Sequence, residues 1–281
     1  MNARVLRPAA TLAVVALLAA ACNDDPVADK YTSLASTPSA SPGKPINAVP
    51  LLWLHHGCTA ALLRGGLAKA LEKNNTKVVS LSYGAGKVDA KLAPAGARLS
   101  NGRFVIGDHT RPEDLRAIFA RDALVRAMLA HGVSSKGTPR RVVLFNSCHG
   151  VLRLRDDAAL ARVKKHYHAL LAELRARQQL LFVALTMPPL TAALTDKAER
   201  GRARALARWM ANDWGARAPN VRVFDLFDAL AVRAGHPLAD TLAPQFAHSA
   251  RDPRPTPPAA ARAVARLLVP WLDLTLKTRG L

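Results

Sequence analysis

Two short stretches of this chain carry side chains able to do chemistry close together. His55-His56-Gly57-Cys58-Thr59 offers two imidazoles, a thiol and a hydroxyl. Asn146-Ser147-Cys148-His149-Gly150 offers a carboxamide, a hydroxyl, a second thiol and a third imidazole. A thiol or hydroxyl attacks an acyl group once a neighbouring histidine takes its proton. Cys58 is therefore a candidate nucleophile, with His55, His56 or His149 as base, provided its sulfur is free. Thr59 and Ser147 bring further hydroxyls, although Thr59 also stands where a helix N-cap belongs. Asp252 lies late in the chain, with His248 four residues ahead of it; His248 reads as a loop residue. Metal chemistry has little support. Adjacent strand residues point to opposite faces, so His55 and His56 do not converge on one ion. No acidic or cysteine partner stands at ligand spacing, and neither a metal nor another cofactor is expected.

Both stretches follow apolar runs. Leu51-Leu52-Trp53-Leu54 leads into the first and Val142-Val143-Leu144-Phe145 into the second. Uninterrupted apolar runs of this length read as parallel strands covered on both faces. The expected strands are Val49–Leu54, Lys77–Leu81, Arg141–Asn146, Leu180–Thr186 and Val221–Asp225. Apolar residues at helical spacing place helices between them: Thr59–Lys73, a helix from Thr110 to about His131, Asp156–Gln178 and Asp196–Trp214. A short helix to about Ala234 and a last one from Thr256-Pro257 through Leu272 complete the chain. Thr110 with Glu113 forms a capping-box pattern, and Asp196 with Glu199 is a second candidate cap. Residues 84–108 and 235–255 show little periodicity.

Alternation of strand and helix predicts an α/β fold, a three-layer α/β/α sandwich around a parallel sheet. The simplest arrangement is five-stranded and flavodoxin-like, in the order 2-1-3-4-5. Ligands in such sheets sit at the carboxyl ends of the strands, which is where both polar stretches fall. In that order the first and third strands are neighbours, ~4.8 Å apart, within the range a disulfide can bridge. A Cys58–Cys148 disulfide is predicted; two free buried thiols are the alternative.

The chain has 281 residues. Arg4 and Arg7 precede a short apolar stretch, Ala9–Ala21, too short to span a bilayer as a helix. Leu18-Ala19-Ala20-Ala21-Cys22 resembles a bacterial lipoprotein cleavage site, with leucine one position further from the cysteine than usual. The expectation is a signal peptide over 1–21, lipidation of Cys22, a flexible tether over 22–48 and one domain over 49–281. An ordinary secretory signal is the alternative, and both export the protein. The expected place is a bacterial membrane, facing the periplasm or cell surface, with the lipid anchor as the membrane contact. An oxidising compartment agrees with the disulfide. The formal charge is +20, from 40 basic and 20 acidic residues. It is dispersed without long like-charged blocks, and export argues against nucleic acid as partner.

Several stretches together resemble the SGNH (GDSL-like) hydrolase superfamily, nearest to exported bacterial members whose first block reads His-His-Ser-Cys-Gly. Here that block is His55-His56-Gly57-Cys58-Thr59. Ile106-Gly107-Asp108-His109-Thr110, Phe145-Asn146-Ser147-Cys148, Thr186-Met187-Pro188-Pro189 and Asn220–Phe227 match further pieces. Asp252-Pro253-Arg254-Pro255 stands where the family has its Asp-x-x-His or Asp-x-His-Pro block. The resemblance spans about residues 49–272 and implies hydrolysis of acyl esters of carbohydrate or lipid by a serine–histidine–aspartate triad. Carried over residue by residue, it places Gly57 at the nucleophile position and Arg254 at the base position, with Asp252 retained. Gly57 has no hydroxyl, and an arginine stays charged and cannot act as a base near neutral pH. The resemblance also implies Gly84 and Asn146 as oxyanion residues, beside Ser147, His55, His56 and His149. The implied protein is an esterase-like lipoprotein degenerate at its triad. A non-catalytic protein binding an acylated glycan or lipid, or a Cys58-dependent acyl hydrolase, are the alternatives.

Overall fold

The computed structural model describes residues 49–55, 58–74, 76–82, 111–122, 125–126, 129, 141–148, 154–252 and 257–280. Cys22, His56, Gly57, Gly84, His149 and Arg254 lie outside the described residues, as do the signal, tether and 84–108 stretches.

Five strands form one sheet: β1 (Val49–His55), β2 (Thr76–Ser82), β3 (Val142–Asn146), β4 (Leu181–Leu185) and β5 (Val221–Phe224). All neighbouring pairs are parallel, and the order is β2-β1-β3-β4-β5. The predicted α/β fold and strand order are those observed. Successive residues of a strand face opposite sides of the sheet. Leu51 and Trp53 of β1 enter one core with Val142, Leu144, Leu181 and Val183. Leu52 and Leu54 enter the other with Val143, Phe145 and Phe182. Covered faces on both sides are the reason these strands need no polar alternation. Each fully buried Leu or Phe contributes about 1.5–3 kcal/mol.

The helices divide between the two faces. Ala60–Leu62, Leu63–Leu67 and Ala68–Lys73 follow one another as a broken helix, α1. The break is at Gly66, whose φ of 106° favours glycine over any side chain. Next come α2 (Pro112–Phe119), α3 (Asp157–Arg175), α4 (Lys197–Trp209), α5 (Leu226–Leu230) and α6 (Pro257–Lys277). A wider turn, Met210–Trp214, and a 3-10 turn, Gly215–Arg217, extend α4. Helices α2, α3 and α4 cover the Leu52/Leu54 face. Helices α1, α5 and α6 cover the Leu51/Trp53 face.

Several boundaries differ from expectation for identifiable reasons. The second helix caps at Arg111 with no side-chain bond, and Pro112 rather than a threonine opens it. Its first segment closes at Phe119, and helical residues resume at Asp122, Val125, Arg126 and Leu129, towards the expected end near His131. The short helix after β5 ends at Leu230, because Ala231 leaves it to bridge Leu242 in antiparallel fashion. That bridge, and a 3-10 turn at Pro244–Phe246, order part of a stretch expected to be irregular. The last helix continues to Lys277 with Pro270 inside it. Leu272 and Leu276 beyond the proline are buried in the core, and that burial offsets the lost backbone hydrogen bond. Aspartates do the capping elsewhere: Asp156 accepts from the Ala159 N–H at 2.6 Å and Asp196 from the Glu199 N–H at 2.7 Å.

Candidate functional site

Strands β1 and β3 lie side by side, with Leu54 opposite Phe145, so both polar stretches leave the sheet at one place. There Cys58 and Cys148 form a disulfide, with their Cα atoms 6.0 Å apart. The predicted bridge is present. Both cysteines are buried.

Asn146, the last residue of β3, organises the group around the disulfide. It is buried, and its Nδ2 donates to Cys58 Sγ at 3.3 Å and to Cys148 Sγ at 3.7 Å. Its Oδ1 accepts from Thr59 Oγ1 at 2.7 Å. Thr59 therefore does not cap α1 with its side chain, as the sequence suggested. Its hydroxyl turns inward and ties the start of α1 to the end of β3. A buried carboxamide must satisfy both its ends, and threonine and disulfide contribute to doing so.

Ser147 points elsewhere. It is fully buried, and its Oγ accepts from Tyr167 Oη at 2.7 Å. Tyr167 comes from α3 and packs edge-on against Trp214, with ring centroids 5.3 Å apart. The Trp214 indole N–H in turn donates to the Tyr167 carbonyl at 2.7 Å. Burial pushes the Tyr167 hydroxyl well above its ordinary titration range, although the bond to Ser147 opposes the shift and Glu113 adds to it. The phenol thus stays protonated and donates. Ser147 is a packing residue of the β3–α3 contact. Tyr167→Phe should leave the Ser147 hydroxyl without this donor and destabilise the fold by about 1–2 kcal/mol in urea denaturation.

The remaining predicted residues sit on separate elements. His55 ends β1, half-buried and opposite Ser82 of β2. Asp252 is half-buried in the turn ahead of α6, where its N–H donates to the Ser249 carbonyl at 3.3 Å. His248 is exposed in the same stretch. Among the described residues, no group of three or more His, Cys, Asp or Glu side chains could hold a metal ion.

A second polar cluster, at the ends of β4 and β5, escaped sequence reasoning. Asp225 caps α5, its Oδ1 accepting from the Asp228 N–H at 3.0 Å and from Thr186 Oγ1 at 2.9 Å. Arg204 of α4 bonds Asp228 and Asp240, each at 2.7 Å, and lies over the Phe227 ring. These bonds clasp the 231–243 stretch to α4. The only hint in the sequence was an aspartate following an apolar strand. Burial raises the Asp225 pKa, against the opposing Asp228 N–H and Thr186 hydroxyl bonds; Asp228 adds to the rise and Arg204 opposes it. A carboxylate with a raised folded pKa destabilises the fold above that pKa, and the penalty is relieved as the pH falls towards the unfolded value. Asp225→Asn keeps the acceptor oxygen and removes the charge. The variant should gain stability relative to the parent near neutral pH, and the gain should shrink on acidification. Paired denaturation curves across that range measure it.

No protein-family model and no curated protein sequence matches the chain. Solved structures do. A protein of Streptococcus pneumoniae described as a candidate platelet activating factor superposes with a TM-score of 0.50, at 10% identity, over 88% of this chain and 91% of that one. A candidate acylhydrolase of Bacteroides fragilis superposes with a TM-score of 0.47, at 10% identity, over 88% and 95%. At such identity the likeness is one of architecture: this chain shares its α/β fold with the Streptococcus protein along most of both lengths.

Proposed function

We propose that this chain is an exported lipoprotein whose domain belongs among the SGNH-like ester hydrolases and retains their cleft without the usual triad. One observation carries the reading: the Cys58–Cys148 disulfide at the carboxyl ends of neighbouring strands, next to Gly57 in sequence. Gly57 offers no hydroxyl where the nucleophile belongs. The sulfur one residue on, which could have replaced it, is bonded and is not a nucleophile. Arg254 at the base position cannot take a proton. The cleft then binds an acylated carbohydrate or lipid without turning it over. Cys22 carries the anchor and residues 22–48 the tether, holding the domain at the membrane on the exported side.

The test is turnover of p-nitrophenyl butyrate with and without reductant. No turnover is expected in the oxidised protein. Turnover that appears only with reductant and disappears in Cys58→Ala would transfer the chemistry to the thiol. Turnover that survives both Cys58→Ala and Ser147→Ala would overturn the reading.

A further inference from the structure

The N-terminal half of α6 borders an open surface cavity of about 440 Å³ that no role above accounts for. Its lining includes Phe246 from the 3-10 turn and Ala259, Arg262, Ala265 and Arg266 from the helix. The helix is anchored on its other side, where Ala260, Ala261, Val264 and Leu268 are buried in the core. The lining positions are therefore held on a rigid element. Small side chains at 259 and 265 leave the room, and Phe246 supplies an apolar surface.

Arg262 and Arg266 are exposed, and no carboxylate or carbonyl pairs with either among the described residues. Arg204, by contrast, is matched to two aspartates, and Arg202 to two carbonyls. Residues four apart on a helix stand about 5–6 Å apart at Cβ. Two guanidinium forks at that spacing can close on one tetrahedral anion, whose several oxygens accept from both; a carboxylate is already satisfied by one fork. The cavity volume falls in the range of small-ligand sites, about 300–1,000 Å³.

We infer that this cavity binds the phosphate of a phosphate-bearing amphiphile, with Arg262 and Arg266 holding the phosphate and Phe246, Ala259 and Ala265 taking the apolar body. The site stands apart from the ester-cleft reading and does not depend on it.

Octyl phosphate is the probe, titrated by calorimetry below its micelle concentration into the full chain. Saturable one-to-one binding is expected, at least tenfold weaker in Arg262→Gln/Arg266→Gln and unchanged in the control Arg208→Gln on α4. Ala265→Leu, which fills the cavity and keeps both arginines, should also weaken it. Inorganic phosphate should bind more weakly than octyl phosphate, and octanol should not bind. Equal affinity in the parent and the double arginine variant would overturn the inference, as would equal binding of octanol. Inorganic phosphate binding as tightly as octyl phosphate would overturn the apolar half. Binding to vesicles of anionic phospholipid without binding of the monomer would place the effect in surface charge and overturn it too. None of these outcomes touches p-nitrophenyl ester turnover.

Discussion

Gly57→Ser combined with Arg254→His is expected to give the chain hydrolysis of p-nitrophenyl butyrate that the parent is expected to lack. A serine hydroxyl is a poor nucleophile until a histidine removes its proton, and a histidine without the serine has nothing to activate. The two residues act as a unit, so their effects are strongly non-additive. Each single variant should remain near background, and the double variant should exceed either by about 10²-fold or more, the scale of positioned general-base catalysis. Asp252 would orient the new histidine, so Asp252→Ala in that background should lower the gain again. The rate should rise with pH through the histidine range, because the base works in its neutral form. A double variant that folds normally yet stays silent would mean that these positions do not face one another, and the assignment of the base to position 254 would fall first.

Removing the disulfide is the second large effect. Cys58 and Cys148 are separated by 90 residues. Closing a loop of that length restricts the unfolded chain enough to stabilise the fold by about 4–5 kcal/mol in the chain-entropy treatment. In the double alanine variant the neighbourhood adds to this, because Asn146 Nδ2 would lose both sulfur acceptors at its buried position. Cys58→Ala/Cys148→Ala, or full reduction, should lower the melting temperature by about 10 °C or more for a domain of this size. Thermal denaturation of oxidised and reduced protein side by side measures it. A drop of only a degree or two would show that native contacts alone hold the ends of β1 and β3 together.

How far the fold could be read in advance follows from what sequence can express. Leu51–Leu54 and Val142–Phe145 declared themselves because a strand buried on both faces must be apolar throughout. Parallel order alone brings Cys58 and Cys148 together, since neighbouring strands leave little choice of distance. Side-chain partners were not legible in the same way. Thr59 resembled an N-cap by local position, but its hydroxyl found Asn146, 87 residues away, because a buried carboxamide oxygen needed a donor. Tyr167 lies on the buried face of its helix, yet nothing local announced Ser147 as the partner of its hydroxyl. The clasp of Arg204 on Asp228 and Asp240 depends on where a turn folds back, which periodicity does not record. The last helix was expected to close at Leu272, already past Pro270, and the core contact of Leu276 carries it on to Lys277.

The same disulfide also changes the connectivity of the molecule. Residues 58 to 148 form a covalently closed ring, from which the N-terminal segment and the remainder of the domain leave as two tails. The ring carries β1's partner strand β2 and all of β3 up to its end. A backbone cut anywhere inside it opens the ring without separating the pieces, whereas a cut outside it releases a fragment. Under proteolysis, ring and tails would differ in how they fail: a break in the ring leaves β1 and β3 fastened at the site end of the sheet.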